Sequence, residues 1–231
     1  MPKTVGILGG MGPEATAEFY RQLIELTPAE SDQDHLPVIM LSDPRVPDRT
    51  EYILGSGESF LPHLLSLARA LEKFGADFIV MPCNTAHLFW QELADAVDIP
   101  FLNIVEETVG EIEVAFRSEA RRIGVLATEG TIKSSLYQTA IKRHGLLPLI
   151  PSEAAQRQVH GVIKWIKAQV EREASRGQIE AAVQSLQDSG AEGVILGCTE
   201  LGLVKDLEVT VPVFDSLKIL VKATLREALA P

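Results

Sequence analysis

Two matching segments, each ending in a cysteine, constrain the fold of this chain more than any other feature of its sequence. A Gly-Ala-acid triplet begins at Gly75 and again at Gly190, and the chain's only two cysteines, Cys83 and Cys198, follow these triplets at the same spacing. A continuous apolar run lies between each triplet and its cysteine, and a threonine follows within two residues. Short apolar runs of this kind are typical of buried strands in parallel sheets. The repeat therefore predicts two similar halves, each with a strand that leads into a cysteine.

The rest of the chain alternates between strand and helix patterns. Predicted strands cover residues 4–9, 36–42, 78–81, 99–104, 122–128 and 193–196, and predicted helices cover residues 13–27, 57–74, 86–97, 106–116, 129–144, 153–174, 178–189 and 216–229. Such alternation indicates parallel sheets flanked by helices. We predict an α/β fold of two pseudo-symmetric halves, each with a mainly parallel sheet. The first comprises residues 1–104 plus 208–231, and the second comprises residues 105–207.

The charge and hydropathy of the chain exclude several classes of partner. The net charge of −11 argues against a nucleic-acid-binding surface and against an anionic membrane surface. No apolar run approaches the roughly 18 residues of a membrane span, and the first residues lack the pattern of a signal peptide. Free thiols without such a signal favour a reducing compartment. We therefore expect a cytoplasmic protein that acts on a small molecule.

The position of Cys83 and Cys198 allows several interpretations. Ligands of open α/β sheets bind beyond the carboxyl ends of the strands, where both cysteines are predicted to lie. A structural disulfide would need Cα atoms within about 7 Å of each other, and a reducing compartment disfavours it. Two unrelated core cysteines are a second interpretation. A metal site is a third, because Cys83 and His87 are one helical turn apart.

The fourth interpretation is proton transfer by two bases. One thiolate would remove a proton from one face of a flat carbanion, and a thiol on the opposite face would return one, so that the stereocentre inverts. A reaction that runs in both directions needs two similar groups related by approximate symmetry. Cysteine can serve when local donors lower its pKa. Asn84, Thr85 and Thr199 lie beside the thiols and are candidate donors.

Two further motifs each allow a purely structural or a functional interpretation. Gly10-x-Gly12-x-x-Ala15 matches a dinucleotide fingerprint, but a glycine-rich turn that brings backbone close to some other ligand has the same pattern. Arg45 and Arg49 lie in a proline-punctuated segment predicted to be a loop. They are either solvated or form a carboxylate clamp, to which the planar guanidinium is suited.

Taken together, the motifs resemble those of a known family. The segments 6–13 (GILGGMGP), 82–87 (PCNTAH) and 197–201 (GCTEL) resemble the aspartate/glutamate racemase family, and within it the aspartate racemases. The resemblance covers essentially the whole chain. It implies two Rossmann-like α/β domains with the active site between them, acid–base catalysis by cysteine, neither pyridoxal phosphate nor a metal, and a homodimer.

The resemblance also implies a role for individual residues. Cys83 and Cys198 would be catalytic, with Cys198 acting on the L face of the substrate and Cys83 on the D face. Arg49 and Lys167 would bind substrate, with Lys164 as the rival of Lys167. The other positions expected to contact substrate are Met11, Asn84, Thr85, Thr128 and Thr199. Glutamate racemases commonly have histidine where this chain has Glu200, which favours the aspartate branch.

The expected substrate is a small dicarboxylic amino acid, aspartate or glutamate. Because the protein is itself acidic, the positive field would have to come from Arg49, Lys167 and the backbone N–H groups at the helix starts after Gly12 and Gly130. Three other functions remain open from the residues alone. The first is another cysteine-pair enzyme, such as a hydantoin racemase, a decarboxylase or a cis–trans isomerase. The second is a non-catalytic amino-acid-binding protein, and the third is a nucleotide-dependent oxidoreductase.

Overall fold

The first half of the chain forms a three-stranded parallel sheet with helices packed on it. In the computed structural model, which describes residues 2–117, 121–170 and 172–230, β1 (Val5–Gly9) lies between β2 (Val38–Ser42) and β3 (Phe78–Val80). The helices of this half are α1 (Pro13–Leu26), α2 (Arg49–Ile53), α3 (Leu61–Lys73) and α4 (Trp90–Ala94), and 3₁₀ turns occur at Asp32–Asp34 and Thr85–Phe89.

The second half repeats this plan with one more strand. The strands β4 (Arg122–Leu126), β5 (Leu147–Leu149), β6 (Gly193–Leu196) and β7 (Val213–Asp215) form a parallel sheet in the order β5-β4-β6-β7. The helices are α5 (Ile104–Ala115), α6 (Glu129–Lys133), α7 (Leu136–Arg143), α8 (Glu153–Lys167), α9 (Arg172–Asp188) and α10 (Ser216–Ala228), and a 3₁₀ turn covers Leu201–Leu203. Both sheets are parallel and flanked by helices, as predicted.

Local sequence explains where the helices begin and end. Pro13 occupies the first turn of α1, where its missing N–H costs nothing, and the helix ends before Pro28. The side chain of Asn103 caps α5, and that of Asp215 caps α10, each by accepting two backbone N–H bonds.

One hydrophobic core joins the two halves. It includes Val5 and Phe19 from the first half and Ile104, Tyr137 and Leu220 from elements that follow it. Helix α10 packs against both α1 and α5. The two sheets are therefore held in one arrangement by shared apolar contacts, and their carboxyl ends face a common cleft.

Several predicted elements are wrong in detail. Residues 99–104 form no strand, because only Phe101 makes a bridge, to Ile79. The helix predicted over 129–144 is broken at Ser135, whose φ of 57° is left-handed. The helix predicted over 86–97 is a 3₁₀ turn followed by the short α4. Strand β5 was not predicted, since a three-residue edge strand with Pro148 at its centre carries little pattern.

The observed bounds of α8 and α9 also differ from the predicted ones. Helix α8 stops at Lys167 rather than residue 174, and α9 begins at Arg172 rather than residue 178. The segment predicted as a loop through Thr50 already contains the start of α2 at Arg49.

The division of the chain into 1–104 plus 208–231 and 105–207 stays a prediction. Strand β7 belongs to the second sheet, whereas α10 contacts α1 of the first half as well as α5. Within the described ranges, no helix combines the length and the apolar character that a bilayer crossing needs.

Candidate active site

The two cysteines lie just beyond the carboxyl ends of matching strands and line one cavity. Cys83 follows β3, Cys198 follows β6, and each is only 5% exposed. Both are free thiols, so the disulfide interpretation is wrong. The cavity lies between the halves and is lined by Met11, Asp48, Arg49, Thr50, Cys83, Asn84, Thr85, Thr128, Lys167, Cys198, Thr199 and Glu200.

All nine residues predicted for the site contribute to this lining, although their roles stay a prediction. Lys167 lines the cavity, whereas its rival Lys164 does not. The structure adds three residues that were not predicted as contacts: Asp48, Thr50 and Glu200. Of these, Glu200 had a signal in the sequence, since it is an acid placed directly after the second Cys-Thr pair.

Arg49 is held in a fixed orientation by backbone carbonyls. Its Nη1 donates to the carbonyl oxygens of Val46 (3.1 Å) and Pro47 (3.0 Å), and its Nη2 donates to that of Met11 (3.4 Å). Asp48 caps α2 by accepting from Thr50 N and Glu51 N, which fixes the start of the helix that carries Arg49. Among the described residues, Nε and the remaining Nη2 hydrogen have no partner. Those two donors form the side-on fork that binds a carboxylate through two parallel bonds.

The carboxylate of Glu200 makes four polar contacts in the cavity. Its Oε2 accepts from Cys198 Sγ (3.0 Å) and Thr199 Oγ1 (3.3 Å). Its Oε1 accepts from Gly12 N (3.2 Å) and lies 3.7 Å from Lys167 Nζ. The carboxylate is only 3% exposed, so these four contacts replace the water that it has lost.

The charges around Cys198 favour its thiol form. Burial raises the pKa of Cys198 well above its ordinary value, the Glu200 carboxylate raises it further, and Lys167 opposes this rise. Burial works against the charge on Lys167, but Glu200, Cys198 and Cys83 together outweigh it and the pKa of Lys167 is raised. Lys167 is therefore a cation at neutral pH.

Some of the N–H donors at the two helix starts are used within the chain. The N–H of Gly12 is bonded to Glu200, and the N–H of Thr131 in α6 is bonded to the side chain of Thr128. That the other N–H groups of these turns bind a ligand stays a prediction. Arg49 and Lys167 are the cations among the residues that line the cavity.

Asn84 and Thr85 bond the opposite half of the molecule rather than the thiols. Asn84 Oδ1 accepts from Tyr137 Oη (2.5 Å), and Asn84 Nδ2 donates to Ser216 Oγ (3.0 Å). The hydroxyls of Thr85, Thr128 and Thr131 form a triangle with sides of 2.9 to 3.0 Å. The prediction that these residues donate to the thiols is therefore wrong, and Thr199 likewise donates to Glu200.

Both ring nitrogens of His87 form hydrogen bonds with the backbone. Its Nδ1 donates to the carbonyl oxygen of Cys83 (2.8 Å), and its Nε2 accepts from Ile104 N (3.2 Å). Burial lowers the pKa of His87 to about 4, so the ring is neutral at physiological pH. Because both nitrogens are engaged, the metal site with Cys83 is wrong. No group of three potential ligands suitable for a metal occurs among residues 2–117, 121–170 and 172–230.

Contacts within the chain account for the glycine motif. Gly10 has a φ of +98°, and a Cβ there would lie 2.4 Å from the carbonyl oxygen of Asp43. A Cβ on Gly12 would lie 3.3 Å from Glu200 Oε1. The turn is therefore built for close approach of Asp43 and Glu200. These contacts remove the need for the dinucleotide interpretation.

The cavity is closed in this structure. It offers only about 10 Å³ to a water-sized molecule, which is the lower limit for one water. A more open pocket of about 320 Å³ adjoins it and shares Asp48, Arg49, Lys167 and Glu200 with it. A ligand the size of an amino acid would have to displace these side chains or separate the two halves.

Comparison with known proteins relates this chain to amino acid racemases. Residues 8–224 match the family model described as Asp/Glu/Hydantoin racemase. The broad specificity amino-acid racemase RacX of Bacillus subtilis (strain 168) is 33% identical, and the alignment covers 98% of both proteins.

Solved structures show the same likeness. A Picrophilus torridus aspartate racemase has a TM-score of 0.85 at 31% identity, with 98% of this chain and 94% of that chain covered. An aspartate racemase homologue from Pyrococcus horikoshii OT3 has a TM-score of 0.76 at 27% identity, with 99% of both chains covered.

Proposed function

The chain belongs to the Asp/Glu/hydantoin racemase family, and on that premise we propose that it racemises L- and D-aspartate without pyridoxal phosphate, with Cys83 and Cys198 as its two bases. Glutamate is the alternative substrate. The observation that carries the proposal is the shared cavity, into which both thiols reach from matching strand ends of the two halves.

The proposed reaction needs one thiolate and one thiol at the same time. The thiolate takes the α-proton from one face of the substrate and leaves a planar carbanion. The opposite thiol gives its proton to the other face, so the product has inverted configuration and the two sulfur atoms have exchanged protonation states. A second turnover in the reverse direction uses the same two groups in exchanged roles.

The charges of the cavity support a substrate with two carboxylates. Arg49 and Lys167 are the two cations among its lining residues. Arg49 presents a two-donor fork, and Lys167 presents a compact charge. A carboxylate bound at the fork would share the negative charge that develops at the α-carbon, which stabilises the carbanion relative to the bound substrate.

Closure of the cleft supports carbanion chemistry as well. The thiols and the Glu200 carboxylate are nearly inaccessible to solvent in the closed form. Exclusion of water strengthens the electrostatic contacts within the site and protects the carbanion from solvent protons. Substrate would enter through the adjoining pocket, past Asp48, Arg49, Lys167 and Glu200.

Isotope incorporation tests the proposal directly. The wild-type protein is incubated in deuterated water with L- and D-aspartate, L- and D-glutamate, and a panel of neutral and basic amino acids, and the products are separated by chiral chromatography. We expect aspartate to be converted, with solvent deuterium in the product. Cys83→Ser and Cys198→Ser should each lower turnover by roughly 10²-fold or more, the range of acid–base assistance.

Three results would contradict the proposal. One is conversion of no amino acid, another is a preference for a substrate with one carboxylate, and the third is full activity in either serine variant. A homodimer and a cytoplasmic location are also part of this proposal. Sedimentation of the purified protein checks the first, and fractionation of the cells that express it checks the second.

A further inference from the structure

We propose that Glu200 keeps Cys198 protonated in the substrate-free enzyme, so that Cys83 is the first base of the reaction. This inference rests on the proposed two-base function and adds to it an order of events. The two cysteine segments look equivalent in sequence, but their surroundings make them unequal.

The contact that carries the inference is the short distance between Cys198 Sγ and Glu200 Oε2. At 3.0 Å, the thiol must donate its proton to the carboxylate, because a thiolate there would face a second negative charge with no proton between them. Gly12 N donates to the other carboxylate oxygen, and Lys167 Nζ lies 3.7 Å from that oxygen. The arrangement therefore stabilises a thiol beside a carboxylate.

The other charged and titratable groups around Cys198 do not reverse this preference. They come from α2, α7, α8 and the Cys83 segment, and they are Asp48, Arg49, Cys83, Tyr137 and Lys167. Lys167 and Arg49 are the cations among them. Lys167 lowers the pKa of Cys198, but its Nζ lies 3.7 Å from Glu200 Oε1, so the carboxylate offsets its charge. Tyr137 is neutral because burial raises its pKa far above its ordinary value.

Cys83 has no comparable partner. Threonine occupies the position that matches Glu200, two residues after the cysteine, and its hydroxyl bonds Thr128 and Thr131. The nearby His87 bonds the carbonyl oxygen of Cys83 rather than its sulfur. Among the described residues, no carboxylate hydrogen-bonds the Cys83 thiol. Glu200 in the place of a threonine is one difference that breaks the pseudo-symmetry of the repeat, and Thr199 in the place of Asn84 is another.

The difference between the surroundings of the two cysteines sets the order of proton transfers. Cys83 as thiolate removes the α-proton that faces it, and the thiol of Cys198 delivers its proton to the opposite face. The enzyme is then left with Cys83 as thiol and Cys198 as thiolate. A further turnover in the same direction requires that Cys198 takes a proton from water and that Cys83 releases one to water. The enantiomer whose α-proton faces Cys83 therefore meets the cysteine that no carboxylate keeps protonated.

Ultraviolet titration of the thiolate tests the inference without any substrate. In Cys83→Ser, Cys198 is the sole remaining thiol, and a chain with both cysteines replaced by serine supplies the baseline. We expect at most about a tenth of this thiol to ionise at about pH 8.5, where an unperturbed cysteine is half ionised. Half ionisation of Cys198 at or below that pH would overturn the inference.

A carboxylate substitution assigns the effect to Glu200. Adding Glu200→Gln to Cys83→Ser should lower the midpoint of the titration by about one pH unit or more, because the adjacent negative charge is lost. Glu208→Gln, at an exposed carboxylate of the same half, should leave it unchanged. Equal midpoints in the Glu200 and Glu208 variants would overturn the assignment. If circular dichroism shows that Glu200→Gln does not fold, the titration of Cys83→Ser alone decides the question.

Alkylation gives a second readout with an internal reference. Limited treatment of wild-type protein with iodoacetamide, followed by mass spectrometry of the peptides, should modify Cys83 before Cys198, and Glu200→Gln should raise the ratio of Cys198 to Cys83 modification by about tenfold or more. An unchanged ratio would count against the inference. Neither readout depends on turnover, so an inactive protein with a protonated Cys198 would refute the proposed function alone, whereas an active racemase with an unprotonated Cys198 would refute this inference alone.

Discussion

At the scale of single residues, the orientation of Arg49 matters more than its charge. Three backbone carbonyls hold one side of the guanidinium and leave the Nε side for a ligand. Lysine keeps the charge but has neither the fork nor enough donors to hold this position and bind a carboxylate as well. The contributions of orientation and charge can be separated, because arginine can be replaced by lysine both here and at the neighbouring Arg45.

We expect Arg49→Lys to lower kcat/KM for aspartate by about 30-fold or more, since loss of a desolvated arginine–carboxylate contact costs about 2–5 kcal/mol. Arg45→Lys is the matched control, because Arg45 bonds only Asp43 among the described residues and 83% of its side chain is exposed. Steady-state kinetics and circular dichroism check both variants. Wild-type kinetics in a folded Arg49→Lys protein would show that Arg49 is not a carboxylate clamp.

At the scale of secondary structure elements, the close approach of α2 and α6 joins the two halves beside the cavity. These two helices come from different halves and meet at a glycine. A Cβ on Gly130 would lie 3.0 Å from the Cα of Thr50 and 3.0 Å from its Oγ1. Thr50 follows Arg49 in the same helix, so the contact couples closure of the cleft to the position of the arginine.

Gly130→Ala should therefore raise KM and lower kcat/KM by about tenfold or more, since displacements of about 1 Å in a catalytic arrangement can cost 10²-fold. Gly161→Ala in α8 is the matched control, because no atom of the described part of the chain lies within 4 Å of the added Cβ and alanine favours a helix by up to about 1 kcal/mol. Kinetics and thermal unfolding of both variants provide the measurement. Identical kinetics in the two variants would mean that the α2–α6 contact does not govern the site.

At the scale of the whole molecule, a buried neutral histidine links catalysis to stability. His87 bonds the carbonyl of Cys83 and the first N–H of α5, where the chain enters its second half. The folded protein accepts a proton on this ring only near pH 4, whereas the unfolded chain accepts one near pH 6.5. The unfolded state therefore binds the extra proton between these values, and the free energy of unfolding falls as the pH falls.

We expect this one ring to cost about 2 kcal/mol of stability between pH 7 and pH 5, and about 3 kcal/mol once pH 4 is reached. Urea unfolding at pH 7 and pH 5 measures it, and the comparison with His87→Gln removes the contributions of the carboxylates. The variant should lose less stability on acidification than the wild type. Equal losses in both proteins would show that His87 is not held neutral by the fold.

The family relationship and the plan of the fold were accessible from sequence because they depend on local pattern. Apolar runs, glycine turns and the repeated cysteine segments are read along the chain, and most of the helices and every predicted strand except residues 99–104 are confirmed. Short elements were missed, since three residues such as those of β5 carry too few side chains to show a period. The break at Ser135 was missed for a different reason, because a left-handed residue leaves no apolar signal in a continuous helical pattern.

The contacts that set the chemistry were decided only by tertiary structure. The sequence by itself established which nine side chains to consider and that two cysteines would follow matching strands. It could not show that Glu200 reaches Gly12 and Lys167, that Asn84 and Thr85 bond the opposite half, or that His87 serves the backbone. Hydrogen bonds between residues far apart along the chain depend on how the two halves meet, and no local pattern contains that information.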